Sequence, residues 1–161
     1  MSLKKIGFDS ATATAADQAN IYAALADGRL AGCAVTCSGG IVGVAKGYLI
    51  AHGRLIENTS ALSVSVSGTG VAQVILTVQL GAADTVTVAY RTAETEGALP
   101  ALVQDDINDG THSKYEMEIA LVDLAENTLL RSMPMAAWPI RVVDAAPEQG
   151  AADGLYFVLK E

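Results

Sequence analysis

Apolar and polar residues alternate along much of the middle of the chain, and this period of two predicts β-strands. The clearest alternation covers residues 62–66, 74–80 and 86–90, where every second residue is apolar. Short turn-forming segments, Gly68-Thr69-Gly70 and Gly81-Ala82-Ala83-Asp84, fall between them. Strands joined by such short turns form an antiparallel meander, and the alternation gives that meander one buried face.

Two further stretches show the same period. Residues 33–50 predict two strands on either side of a Ser38-Gly39-Gly40 turn, and Gly43 and Gly47 indicate a bulge or a close approach of two backbones. Residues 115–121 again alternate, with apolar side chains separated by glutamates. The sequence therefore predicts a mainly β fold, an antiparallel sandwich or meander.

The one helical pattern lies near the start of the chain, over residues 14–28. Thr14 can cap its first turn, and Gly28 suits the left-handed residue that follows a helix. Apolar residues recur at helical spacing, with Ile21 and Leu25 beside the stripe. Because this helix is short, we expect docking against the β domain to stabilise it. Residues 1–13 are small and polar and predict a flexible arm.

The last thirty residues, 132–161, have a different character. Three of the four prolines lie here, at positions 134, 139 and 147. Proline cannot donate to a sheet ladder, so this density predicts an extended arm along a sheet edge rather than a central strand. The segment "LYFVLK" near the end predicts a terminal strand that pairs with this domain or with a neighbouring subunit. The β domain itself, with its helix, is predicted to span residues 14–131.

The stretch "GYLIAHGRLIE", residues 47–57, places a histidine between two apolar runs. A two-residue His52-Gly53 connection predicts a type I′ hairpin, because glycine adopts positive φ freely and histidine is enriched there. Arg54 then begins the return strand and is expected to face solvent. The alternative is a nucleophile–base pair that uses His52, but the chain contains no GxSxG segment to supply the nucleophile. The hairpin interpretation is therefore favoured.

The acidic loop "DDINDGTHSKYE" resembles a calcium-binding loop. Asp105, Asp109, Gly110 and Glu116 match four of its positions, but Ile107 occupies a position that requires an oxygen ligand. The following residues alternate as a strand rather than continuing as a helix. We therefore predict a polar surface loop with no metal.

Composition excludes several classes of function. The net charge of −8 and ten scattered basic residues argue against nucleic-acid binding. No apolar run is long enough for a transmembrane helix, and the start of the chain lacks a secretory signal pattern. Cys33 and Cys37 are too few for a disulfide scaffold and are expected to be small buried thiols. Paired carboxylates for glycan hydrolysis stay a third, weaker hypothesis.

Several short segments follow one another in a recognisable order. A predicted helix containing "ADQANIYAAL" precedes "GCAVTCSGGIVGVAKGYLIAHGRLIE", a serine/valine strand pair, "LPALVQDDIN" and "YEMEIALVDL". This order resembles a domain found in tail, baseplate and fibre-shoulder proteins of long-tailed bacteriophages and prophages. The resemblance covers approximately residues 15–125. Each segment is weak alone, and their order carries the resemblance.

This resemblance implies a non-catalytic virion structural protein that needs no cofactor. Its expected partners are further copies of itself, commonly as a trimer, and other tail or baseplate proteins. It would be made in the host cytoplasm and end in the virion tail. Assembly would use apolar side chains of the helix and of the arm: Ile21, Tyr22, Leu25, Met133, Met135, Trp138 and Ile140. The alternative is a small β module that binds carbohydrate, such as a host surface glycan, or another part of a cell surface.

Overall fold

The protein is mainly β, and most of its strands are antiparallel. A computed structural model describes residues 15–22, 27–136, 140–143 and 155–158. Helix α1 covers Ala15–Tyr22. The strands that follow it are β1 (Gly28–Gly32), β2 (Val35–Ser38), β3 (Ile41–Val44), β4 (Gly47–Ala51), β5 (Arg54–Asn58), β6 (Leu62–Ser65), β7 (Val71–Gln79), β8 (Thr85–Ala93), β9 (Lys114–Asp123), β10 (Thr128–Ser132), β11 (Ile140–Val143) and β12 (Leu155–Val158).

The first four strands form one long, bent hairpin. β1 pairs with β4 and β2 pairs with β3, and the ladder continues across the bend, where the Cys33 amide donates to the Lys46 carbonyl at 3.1 Å. Its turn is the predicted one, since Gly39 and Gly40 have φ of 57° and 73°. Gly47 marks a close approach of two backbones, because a Cβ there would overlap the Ala31 carbonyl oxygen. The predicted turn and the close approach at Gly47 are confirmed, whereas Gly43 pairs with Thr36 in a regular ladder without a bulge.

The predicted three-strand meander over residues 62–90 is wrong in its pairing. β7 and β8 form a hairpin, but β6 pairs with β3 in a different sheet. The sheet orders are β1-β4-β5, β2-β3-β6 and β10-β9-β7-β8. The chain changes sheets between Val66, whose amide donates to the Gly40 carbonyl, and Gly70, whose carbonyl accepts from Leu124. Alternation along a strand shows which residues are buried, but it does not show which strand lies beside it.

The core lies where these three sheets meet. Alternate residues of β7, from Ala72 to Val78, pack with β9 and with the buried residues of the two smaller sheets. Val42 and Leu49, from β3 and β4, are among the residues almost fully removed from solvent. The aliphatic composition of this cluster agrees with a chain that has few aromatic residues.

The opposite face of the large sheet carries a line of polar side chains that crosses all four strands. Arg91 of β8 donates to Gln73 of β7 at 2.8 Å, and Gln73 donates to Glu118 of β9 at 2.6 Å. Glu118 in turn accepts two bonds from Arg131 of β10, at 2.7 and 3.0 Å. Burial alone would raise the pKa of Glu118, but the hydrogen bonds from Arg131 and Gln73 outweigh it and lower that pKa. Each strand therefore contributes one member to a continuous polar network.

The ends of the described chain are arranged differently from each other. Gly28, predicted to terminate the helix, instead begins β1, while residues 14 and 23–26 lie outside the described residues. The first part of the C-terminal arm runs along β1 as predicted: Arg29 donates its amide to Pro134, and Ala136 donates back to Arg29. β11 and β12 pair with each other in parallel, which the sequence did not predict.

Candidate functional site

His52 and Gly53 form the predicted hairpin corner. Their φ angles of 46° and 74° are both positive, as a type I′ turn requires, and the turn joins β4 to β5. The hairpin interpretation of "AHGR" is confirmed. The corner is also the centre of a polar cluster that the sequence analysis missed.

The cluster joins three segments that are distant in sequence. The His52 amide donates to Oδ1 of Asp27 at 2.7 Å, and the Tyr115 hydroxyl donates to the other oxygen of the same carboxylate. The imidazole lies against the Tyr115 ring with centroids 4.9 Å apart, and its Nε2 is 2.8 Å from Oδ1 of Asp106. Burial and the bond to Asp27 raise the pKa of Tyr115, so its phenol stays protonated and acts as a donor. These contacts fix the corner against β9 and the acidic loop.

Asn108 connects the same loop to the hairpin from the other side. Its side-chain oxygen accepts a bond from the Arg54 guanidinium at 2.7 Å, and its amide nitrogen donates to the His52 carbonyl at 3.2 Å. Arg54 was expected to face solvent, but it is partly buried by this contact. The alternation of residues around Arg54 does not indicate this contact, because the acceptor Asn108 is distant in sequence.

Ile107 holds the acidic loop to the core. Its side chain is 2% exposed and belongs to the main core cluster, although the residues on either side of it are polar. Asp106 and Asn108 flank it and make the contacts to His52. The residue that breaks the calcium pattern therefore has a structural role of its own.

Two carboxylates of the calcium-like pattern, Asp109 and Glu116, have separate partners. Asp109 accepts from the amides of Thr111 and His112, and hydrogen bonds from Thr111 lower its pKa. Glu116 lies on β9, where it contacts Lys114 at 2.6 Å and accepts from the Val103 amide. Among residues that the structure describes, no group of three or more His, Cys, Asp or Glu side chains is placed to hold a metal ion.

The two cysteines are free thiols in different surroundings. Cys33 is fully buried at the bend of the long hairpin, with a φ of 49°, whereas Cys37 lies on β2 and is partly buried. Burial raises the pKa of both thiols. Raised pKa values disfavour the thiolate, so neither environment activates a nucleophile.

The assembly residues proposed from the sequence occupy unlike positions. Tyr22 on α1 and Met135 in the arm are exposed, and Met135 forms a parallel bridge with Arg29. Met133 is buried in the core cluster and so is not available at the surface. The side chains of Ile21, Leu25, Trp138 and Ile140 lie outside the described residues, although the backbone of Ile140 begins β11.

A more extended apolar surface lies on β8, which sequence analysis did not select. This strand is nine residues long and forms one edge of the large sheet, with β7 on its inner side. Val86 is 47% exposed and Tyr90 is also exposed. The six residues "TVTVAY" contain no charge and no proline. Natural proteins usually protect an edge of this length with lysine, proline or a bulge, so β8 is suited to pair with another strand.

An apolar cleft of about 290 Å³ opens beside this edge, between β8 and the smaller sheets. Val86 and Val88 form its wall on the β8 side, and Glu57 and Asn58 are its polar lining residues. Aliphatic side chains of the core line the rest: Val44, Leu49, Ile56, Leu62, Leu76 and Ile119. A strand added to β8 would bring alternate side chains over this cleft.

A second, shallower groove lies around Tyr48 on β4. The ring is 43% exposed, and its hydroxyl donates to Glu57 at 3.2 Å across the strand pair. Gly32 and Gly47 line the groove next to the ring, and Lys46 lies beside them. An exposed aromatic side chain can stack on the ring of a ligand, and the neighbouring carboxylate can accept hydrogen bonds from that ligand.

Comparisons with protein-family profiles, with curated proteins and with solved structures gave no match to this chain. Within the described segments, no helix has the length and apolar character needed to cross a membrane. Function is therefore inferred from the chain's own sequence and surfaces.

Proposed function

We propose that this protein is a non-catalytic structural protein that acts by assembling with further copies of itself, as a phage or prophage tail or baseplate component does. The observation that supports this proposal is the β8 edge, which has no partner among the described strands and lies beside an apolar cleft. The phage assignment rests on the order of segments described above. The assembled unit would be a β sandwich with a C-terminal arm.

The His52 cluster supports a structural role rather than a reaction. Its described contacts connect the hairpin to Asp27, to the acidic loop and to Tyr115. The backbone amide, the carbonyl and one ring nitrogen of His52 each have a partner. Such a network fixes the position of a loop. The His52 groups that take part in it stabilise the fold and are not free to act on a substrate.

A Val86→Lys variant tests assembly through β8. Lysine on an edge strand opposes pairing because its charge would be buried in the new ladder, so we expect the mass in solution to fall to that of one chain. Ala83→Lys is the matched control, since it adds the same charge in the exposed turn before β8. Sedimentation of the variants and the unmodified protein gives the answer. A Val86→Lys variant that sediments at the same oligomeric mass as the unmodified protein would contradict the role of this edge.

A second candidate function is saccharide binding, which the Tyr48 groove favours. A sugar ring stacked on Tyr48 could hydrogen-bond the Glu57 carboxylate and the Lys46 ammonium. We expect a Tyr48→Ala variant to lose any glycan-array signal of the unmodified protein, while Tyr90→Ala, which removes another exposed ring, keeps it. Equal signals from both variants would exclude this groove as the site.

A further inference from the structure

The β8 edge and the outer edges of the β11–β12 pair carry backbone N–H and C=O groups that no described strand pairs with. β8 pairs on one side only, with β7. Within the same described set, β11 and β12 pair only with each other, over four residues each. Two-stranded sheets of this size are marginal in water and gain stability when they join a larger sheet.

The side chains of β12 are apolar, like most of the residues that line the cleft. Its residues are Leu155, Tyr156, Phe157 and Val158, so an apolar side chain would face the cleft in either orientation of the strand. In strand addition, main-chain hydrogen bonds hold the added segment and pockets accept its alternate side chains. Lys160 follows β12 closely in sequence, and Glu57 is one of the lining residues of the cleft.

β12 would reach a neighbour together with β11, because the two strands are paired over their full length. The arm is anchored to β1 as far as Ala136, and three residues separate Ala136 from Ile140, where β11 begins. Four extended residues and one strand spacing keep the start of β12 within about 20 Å of Ala136. β12 pairs with β11 on one side, so among the described strands its other side is available to the β8 edge of a neighbouring copy.

We propose that β12 of one copy adds to the β8 edge of a second copy, with its apolar side chains in the cleft beside Val86 and Val88. This inference rests on the proposed self-assembly and specifies which surfaces meet. The contact is heterologous, because a donor strand on one copy meets an acceptor edge on the next. Head-to-tail contacts of this kind close into rings when their rotation allows.

Mixing two variants tests the proposal. Val86→Lys alters the acceptor edge and leaves β12 unchanged, whereas Phe157→Asp alters the donor strand and leaves β8 unchanged. We expect each variant alone to sediment as one chain. An equimolar mixture should form a complex of two chains, because one intact donor and one intact acceptor are then present. Ala151→Asp adds the same charge upstream of β12 and should keep the mass of the unmodified protein.

Other outcomes separate this proposal from the broader one. If Phe157→Asp and Tyr156→Asp, which alter opposite faces of β12, both keep the oligomer, or if the mixture stays monomeric while the unmodified protein assembles, the donor strand is not β12 and self-assembly still stands. If the unmodified protein is itself a single chain at all concentrations, self-assembly and the donor-strand contact both fail. Circular dichroism of each variant checks that the β fold is retained.

Discussion

An Ile107→Ala variant is expected to lose about 2–5 kcal/mol of unfolding free energy, the range for truncating a large aliphatic side chain in a core. Ile107 is 2% exposed and lies in the main core cluster, although its loop is polar. Truncation leaves a cavity under the loop, and the loop also carries the Asp106 and Asn108 contacts to His52. Urea unfolding followed by circular dichroism measures the change.

Leu130→Ala is the matched control for this prediction. Leu130 is 53% exposed on β10, so the same kind of truncation should change the unfolding free energy by less than about 0.5 kcal/mol. A similar loss in both variants would show that Ile107 does not anchor the loop to the core.

A Gly70→Ala variant is expected to be destabilised severely, by several kcal/mol or to the point of poor folding. Gly70 has a φ of 76°, a conformation that costs a residue with a Cβ roughly 1–3 kcal/mol. The added Cβ would also overlap the Ala93 carbonyl oxygen and lie 2.6 Å from the Glu94 carbonyl oxygen. Because these are backbone atoms at the end of β8 and immediately after it, they cannot rotate away, and the β7–β8 ladder would have to open.

Gly81→Ala provides the comparison within the same hairpin. Nothing lies within 4 Å of a Cβ at Gly81, so this variant should unfold at nearly the same temperature as the unmodified protein. Thermal unfolding of both variants measures the difference. If Gly70→Ala and Gly81→Ala unfold at the same temperature, the backbone does not pack closely around Gly70, where the chain crosses between sheets.

Local chemistry predicted the turns of this protein well. Positive φ at Gly39-Gly40 and at His52-Gly53 follows from the residue types alone, and both hairpins occur where the sequence placed them. The arm along β1 likewise follows from proline, which lacks the amide that a central strand needs. Each of these predictions depends only on neighbouring residues.

The missed features depend on residues distant in sequence. β6 alternates as well as β7 does, yet it joins β3 in another sheet, because nothing within a strand specifies its partner. The His52 cluster brings together Asp27, Asp106 and Tyr115 from separate segments. One signal was present: an isoleucine inside an acidic loop indicates an anchor in the core. In the sequence, Ile107 had been interpreted only as the residue that breaks the calcium-binding pattern.

The composition of β8 is compatible with an edge strand, but composition alone does not show that β8 lies at the edge of its sheet. The segment "TVTVAY" lacks charge whether it lies in the centre of a sheet or at its edge, and only the strand order decides between them. The structure therefore adds a strand edge and its neighbouring cleft to the helix and arm residues from which the sequence predicted assembly.

The most direct test of self-assembly is the mass of the unmodified protein in solution, measured by sedimentation over a range of concentrations. One chain has a mass of 16.6 kDa. A stable species at an integer multiple of that mass, three chains in the phage-like case, is the predicted result. A single chain at every concentration, including those well above micromolar, would contradict the account.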